Sequence, residues 1–438
     1  MVMIMAKHFS KHRRSIALFA GTMVAALMLS AVGVTGAGSV SKAAGDIVIH
    51  TPQLSKVTDG PLNQGMVAGV TRSRGTYTEY KTLAEALEAT KNDSSSTIKL
   101  FADVELSDMI WVAGSAKGVT LDMKGHKIRR AGASRSSNGG IFGLESGAEL
   151  SIIDSSKNGS TISNGSSSNT SGGFQVKDGA KLTMTGVRIE HMGSTDKGGA
   201  IYNDGGTVDL KGVTISECSS YKDGGAIYHN KGQLYLRDCV IQNCKSEKDG
   251  GAIAINGENV MMYDNKILSN FADGDGGGIW VNDSKVFIAG GEIKHNMADY
   301  GGGIYVDSKY DINIQGKLII EDNHTTSNQA SDLVLQDGVA TGARAYDGGL
   351  LPGSRVGIDK TKSVGSGYKA VMGITDYEIK NGYVFVNRGH AELRDTTKRE
   401  EVFMATAVDE YGWGIVLLIV LEIIGAVFLV KIMRKRRG

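Results

Sequence analysis

Five positions, each one repeat from the next, hold the side chains best placed to meet a ligand: Tyr202, Tyr228, Ala254, Trp280 and Tyr305, each following an isoleucine or its equivalent. Strand alternation points them outward, and exposed aromatic rings offer rigid apolar area to an extended ligand. Two residues on stand Asp204, Asn230, Asn256, Asn282 and Asp307, which add hydrogen-bonding groups beside the rings. Together the two columns form a candidate glycan-binding face, broken at Ala254. The same residues also serve a scaffold. Aromatic columns stabilise stacked strands by ~0.2–1 kcal/mol per pair, and Asx side chains bond local amides in turns. On the residues alone both readings stay open.

A further column, Asp223, Asp249 and Asp275, precedes the repeat glycines. Like charges ~5 Å apart repel. Lys222 and Lys248 offer counter-charges to the first two, whereas Asp273 makes the third more acidic. Asp273 and Asp275 are therefore candidate Ca²⁺ ligands, Ca²⁺ taking about six to eight oxygens; solvated turns are the alternative. No other cofactor is implied. The chain holds no Gly-rich loop with the Lys-Ser/Thr of a phosphate cradle, no zinc-spaced Cys/His set and no G-x-S-x-G elbow.

The element that positions these columns is a repeat. Ile201, Ile227, Ile253, Ile279 and Ile304 fall 26, 26, 26 and 25 residues apart. A fixed period of this size marks a stacked-repeat architecture. Within a repeat, short β-branched pieces of period two (Ile201; Val208 and Leu210; Val213 and Ile215) are separated by Gly and Asx. Three strands and three turns per ~26 residues make one coil of a parallel β-helix, its coils ~4.8 Å apart. A propeller blade would need ~40–50 residues. The corner after the third strand carries Met192, Cys218, Cys244, Asn270, Asn296 and Asn323, so a buried asparagine stack is expected there.

The GGAI and GGGI repeats, with Asn270-Phe271-Ala272 and Asn296-Met297-Ala298 before the next glycines, resemble those of right-handed parallel β-helix proteins. They are similar to the pectate-lyase-like superfold and to the GGA(I/L) repeats of polymorphic outer-membrane and adhesin-like surface proteins. Leu121-Asp122-Met123-Lys124-Gly125-His126 resembles a coil common in bacterial surface β-helices. The resemblance covers residues of about 95–388 and implies an all-β fold: a right-handed parallel β-helix of about ten coils. It implies no single activity, since that superfold hosts lyases, hydrolases, adhesins and stalks. Its hydrolases use Gly-His-Gly and Arg-x-Lys motifs, absent here: Gly125-His126 and Gly389-His390 are followed by Lys127 and Ala391. An adhesin-like or glycan-binding surface module is the expected function. The alternative is a polysaccharide lyase or glycoside hydrolase with an unrecognised acid pair.

Residues 1–43 read as a signal peptide, with a basic start through Arg14, the apolar run Ile16–Val34, and Ser41-Lys42-Ala43 or Thr35-Gly36-Ala37 at the cleavage site. Residues 44–75 read as an irregular lead-in. Thr82-Leu83-Ala84-Glu85 is a capping box opening a short amphipathic helix within 76–92, the expected N-terminal cap of the solenoid. The β-helix spans 93–388 and a polar stalk 389–410. Residues 411–432 form a single transmembrane helix, long enough for a ~30 Å core, and 433–438 a basic tail.

The positive-inside rule places that tail in the cytoplasm and the β-helix outside, anchored in the cell membrane. A single-membrane cell, a Gram-positive bacterium before an archaeon, fits. Glu422 lies within the apolar span and marks an in-membrane partner or a tolerated, protonated carboxyl. Setting aside the ten basic residues at the ends and Glu422, 38 basic and 46 acidic residues remain, so residues 44–410 carry −8. That charge argues against nucleic acid and favours a neutral cell-wall or host glycan. Cys218 and Cys244 share one corner a coil apart, within the ~4.4–6.8 Å Cα range of a disulfide. In-register side chains point in parallel, however, so two buried thiols are equally open; Cys239 is expected as a free core thiol.

Overall fold

The computed structural model describes residues 65–131, 139–156, 158–168, 171–257, 259–308, 310, 312–335, 343–351, 353–360, 371–372 and 384–387, and the strands Val40–Ala43 and Asp46–Ile49. The chain divides into two compact units, Met1–Gln64 and Gly65–Gly438. In the first, Val40–Ala43 pairs antiparallel with Asp46–Ile49. The rest of the expected signal peptide, the stalk, the apolar span and the basic tail lie outside the described residues.

The second unit opens with a hairpin. Ala68–Thr71 pairs antiparallel with Tyr77–Tyr80 and with Thr97–Leu100. This segment therefore departs from the expected irregular lead-in: Ala68 and Val70 alternate into the core, and the turn closes at Gly75 with φ 80°. A helix then spans Leu83–Glu88, shorter than the expected 76–92. Its capping box is formed in both directions. Glu85 N donates to Thr82 Oγ1 at 3.1 Å, and Thr82 N donates to Glu85 Oε2 at 3.2 Å. Leu83, Ala86 and Leu87 are buried in the common core.

Beyond it the chain winds into an all-β solenoid of parallel strands, about nine turns rather than ten. Ile201, Ile227, Ile253, Ile279, Ile304 and Leu333 stand in one unbroken register, at spacings of 26, 26, 26, 25 and 29 residues. Inward rows such as Val208, Leu210, Val213 and Ile215 are fully buried. Truncating any of them to alanine should cost about 2–5 kcal/mol, because a neighbouring coil on each side prevents collapse.

Each coil from Ser166 onward also holds a fourth strand that the period-two pattern does not announce. Ser166–Ser167, Gly193–Ser194, Ser219–Ser220, Lys245–Ser246, Phe271–Ala272, Met297–Ala298 and His324–Thr325 form a separate seven-stranded parallel sheet. The residue entering this corner adopts a positive φ without being glycine at His191, Glu217, Asn243, Ser269, His295 and Asp322. Each such residue costs roughly 1–2 kcal/mol. The turn persists because the N–H groups from His191 to His295 still bond the coil above, as from Glu217 to the Gln242 carbonyl.

The asparagine stack forms beside this corner. Asn270 Nδ2 donates to Asn296 Oδ1 at 2.9 Å, Asn296 Nδ2 to Asn323 Oδ1 at 2.9 Å, and Asn323 Nδ2 to Asp332 Oδ1 at 3.0 Å. Each Oδ1 also accepts the backbone N–H of the residue one coil back, from Cys244 to Asn323. Amides buried to 1% exposure or less are thus satisfied along the solenoid axis. In the same column Cys218 and Cys244, like Cys239 elsewhere, are buried free thiols. The Cys218–Cys244 disulfide is not formed. Stacked in parallel, the two thiols instead donate to the Ser216 and Gln242 carbonyls, each at 3.3 Å.

Candidate functional site

The outer face of the first strand in each coil carries the aromatic column in register. From Tyr202 it runs through Tyr228, Ala254, Trp280 and Tyr305 to Val334. In the other direction it continues through Gln175 and Gly143 to Trp111. Trp111 is 41% exposed and lies over Gly143, where an added Cβ would fall 2.4 Å from the indole. Sequence reasoning missed this residue. Ile110-Trp111-Val112 repeats the order of Ile279-Trp280-Val281, but 32 residues rather than 26 separate Ile110 from its partner Phe142.

The structure corrects the expectation that all four aromatic residues are exposed. Tyr202 and Trp280 are half-buried, whereas Tyr228 and Tyr305 are only 4% and 7% exposed. Over Tyr228 the cover is Lys197, in the turn before the preceding coil's glycine pair. Lys197 Nζ sits 4.1 Å above the Tyr228 ring, donates to its hydroxyl at 2.8 Å and pairs with Asp223 at 3.0 Å. Burial works to lower the Lys197 pKa, but Tyr228 and Asp223 outweigh it and the net direction is up. At Tyr305 the chain approaches closely at Gly301, with φ 59°; a Cβ there would lie 2.7 Å from Tyr305 Cβ. Burial, then Asp275 and Asp307, push the Tyr305 hydroxyl far above its ordinary range. Tyr202 and Tyr228 pack with centroids 5.5 Å apart.

Along one side of the row runs the Asx column, joined as a ladder. Asn230 Nδ2 donates to Asp204 Oδ1 at 2.9 Å, Asn256 Nδ2 to Asn230 Oδ1 at 3.2 Å, and Asn282 Nδ2 to Asn256 Oδ1 at 2.6 Å. Asp307 pairs in register with Asn282. Asn230 and Asn256 thus each spend one donor and one acceptor on their neighbours.

Along the other side run the aspartates. Lys222 pairs with Asp196 at 2.7 Å rather than with Asp223. Asp249 Oδ1 accepts the Asp275 N–H at 2.8 Å. Burial, followed by Asp249 and Asp299, pushes the Asp275 carboxyl up to about 6. Burial is also the main cause of the upward direction at Asp249. Asp273, the other expected Ca²⁺ ligand, faces Lys245 at 3.2 Å. Among the described residues no group of three or more His, Cys, Asp or Glu could hold a metal ion. The structure therefore brings the aromatic, Asx and aspartate columns together as three parallel rows, and does not gather Asp273 and Asp275 into a metal cluster.

Comparison with known proteins adds one finding. A family model described as "Right handed beta helix region" matches residues 110–285 and, in a second register, 172–347. The two matches together span more than half of the chain. No curated protein and no solved structure matches it.

Proposed function

The chain belongs to the right-handed β-helix family, and from that premise we propose that it is a surface module binding an extended neutral glycan along the axis of its solenoid. The observation that carries this reading is the in-register row with Trp111, Tyr202 and Trp280 open to solvent, bordered by a ladder of amides. Tyr202 and Trp280 stand three coils apart, ~14 Å at ~4.8 Å per coil. Between them Ala254 leaves a step in the floor. The buried Tyr228 and Tyr305 support the row. In this reading the helix Leu83–Glu88 closes the first coil, and the module is adhesin-like, anchored by residues 411–432 with the solenoid outside and the tail inside. About nine coils give ~43 Å, and the 22-residue stalk adds at most ~79 Å. A cell-wall glycan therefore weighs as much as a host glycan.

The second reading, a glycoside hydrolase, is favoured by one observation. Asp249 and Asp275 lie on adjacent coils beside the Ala254 step, and Asp275 is pushed up to about 6. Retaining glycosidases place two carboxyls about 5–5.5 Å apart and keep one protonated. One experiment separates the readings. The full chain in detergent is incubated in catalytic amount with a panel of neutral polysaccharides, followed by pull-down and reducing-end assays. Binding without new reducing ends supports the module; turnover lost in Asp275→Asn supports the hydrolase; neither defeats both. Proteolysis of intact, wall-stripped cells tests the anchoring. The solenoid should be removed and the tail protected, and cleavage of the tail alone would defeat that topology.

A further inference from the structure

On a different face of the solenoid a buried guanidinium has a nitrogen without a hydrogen-bond partner among the described residues. Arg130 ends the strand Lys127–Arg130, whose burial alternates so that Ile128 and Arg130 turn inward while Lys127 and Arg129 are exposed. Its register partner in the preceding coil is Leu106, itself a core residue. Arg130 is 8% exposed, and its Nη1 is buried with no hydrogen-bond partner among the described residues. A guanidinium nitrogen withdrawn from water without an acceptor is expensive, and breaking such a pairing usually costs more than replacing the group with an apolar residue. Such a group is tolerated where something outside the chain completes it.

The space for that group is present. Arg130 lines a cleft of about 670 Å³ at the junction of the third face and the corner sheet, within the ~300–1,000 Å³ of small-molecule sites. The cleft exists because the corner column is small here. Ser166, Gly193 and Ser219 are in register, whereas the same column carries Lys245, Phe271, Met297 and His324 in later coils. A Cβ at Gly193 would stand 3.6 Å from Ser166 Oγ and 3.9 Å from Ser219 Oγ, so two hydroxyls border the niche. Arg129 pairs with Glu105 at 2.9 Å, and Glu217 meets His191 Nδ1 at 3.0 Å, an ion pair only when that ring carries its second proton. Among the described residues no carboxylate pairs with Arg130.

We propose that this cleft binds a small hydroxylated carboxylic acid, its carboxylate on the Arg130 guanidinium and its hydroxyls toward Ser166 and Ser219. A carboxylate supplies the acceptor that Nη1 lacks and pairs directly with the guanidinium. A dianion such as phosphate would leave an excess charge beside Glu105 and Glu217, and a neutral sugar would leave Arg130 unmatched. The site is independent of the aromatic row, so either assignment can fail without the other.

The test uses the full chain in detergent, titrated with sodium gluconate, sodium acetate and inorganic phosphate against sodium chloride at matched ionic strength. Calorimetry reads affinity and a thermal melt reads the unfolding midpoint. Gluconate should bind more tightly than acetate and phosphate and raise the midpoint above the chloride control. Arg130→Met should weaken gluconate about ten- to hundredfold, the loss of a charged hydrogen bond, yet unfold no earlier than the parent, because a buried nitrogen without an acceptor is gone. Gly193→Val fills the niche without touching Arg130 and should abolish gluconate binding, which keeps the test sound if Arg130→Met fails to fold. Absence of gluconate binding in the parent, its survival in either variant, or tighter binding of phosphate overturns the proposal.

Discussion

Replacing Asp275 by asparagine should make the protein more stable at neutral pH and leave its acid stability unchanged. Burial, reinforced by Asp249 and Asp299, lifts this carboxyl from 3.8 to about 6. Between these values the folded chain holds a proton that the unfolded chain has released. Stability from this group is therefore complete below pH ~4, declines as pH rises, and is gone above pH ~6. Two units of pKa correspond to at most about 3 kcal/mol. Asp275 is only half-buried, so solvent screening reduces the usable amount to about 1 kcal/mol. Asparagine keeps the shape and cannot ionise. Urea unfolding of parent and Asp275→Asn at half-unit steps from pH 4 to 7.5 would show the two curves meeting at the acid end and the variant ahead by about 1 kcal/mol at the neutral end. Taking the difference removes titrating groups that do not couple to Asp275, such as Asp154. A difference independent of pH, or a parent that gains on the variant as pH rises, would refute the reasoning.

Asn296→Ala should destabilise by about 2–4 kcal/mol in urea unfolding, because it strips the acceptor from both the Asn270 N–H and its Nδ2; a loss under 1 kcal/mol would show that the ladder contributes little. Glu321 is held down to about 2 by Arg355, at 2.5 Å, and Lys294, at 2.7 Å. Its contribution is present above pH ~4.5 and lost as pH falls toward 2, so Glu321→Gln should cost stability at pH 6 and nothing at pH 2, with equal costs at both defeating the assignment. Alkylation of unfolded, non-reduced protein should label all three cysteines by mass spectrometry, and two unlabelled cysteines would restore the disulfide.

The period is legible in the sequence because similar coils stack in register from Ile201 to Ile304; loops take up the longer steps, such as the 29 residues from Ile304 to Leu333, without moving the row out of the core. The corner strands are not legible, since two residues such as Ser219-Ser220 are too few to declare a period. Alternation correctly orients Tyr228 and Tyr305 away from the core. It does not reveal what lies above Tyr228, because Lys197 belongs to the preceding coil, 31 residues back, and meets the ring only in three dimensions. Arg130 stays hidden for a related reason. In Lys127-Ile128-Arg129-Arg130 three cations surround one isoleucine, and only the phase of the strand tells which cation turns inward. Pairings across coils are likewise invisible to local reading: Lys197, not Lys222, meets Asp223.

The claim that the outer aromatic row is a binding face is tested most directly on Tyr202 and Trp280, the half-buried members of the row. Cellohexaose, chitohexaose and an α-mannan fragment would be titrated into the full chain and into Trp280→Ala and Tyr202→Ala, with the unfolding midpoint measured for each. The account predicts that the ligand bound by the parent loses about tenfold or more in affinity with each variant, as exposed aromatic anchors do, while the midpoints hold. Midpoints that fall while affinity is unchanged would make the row scaffold and nothing more.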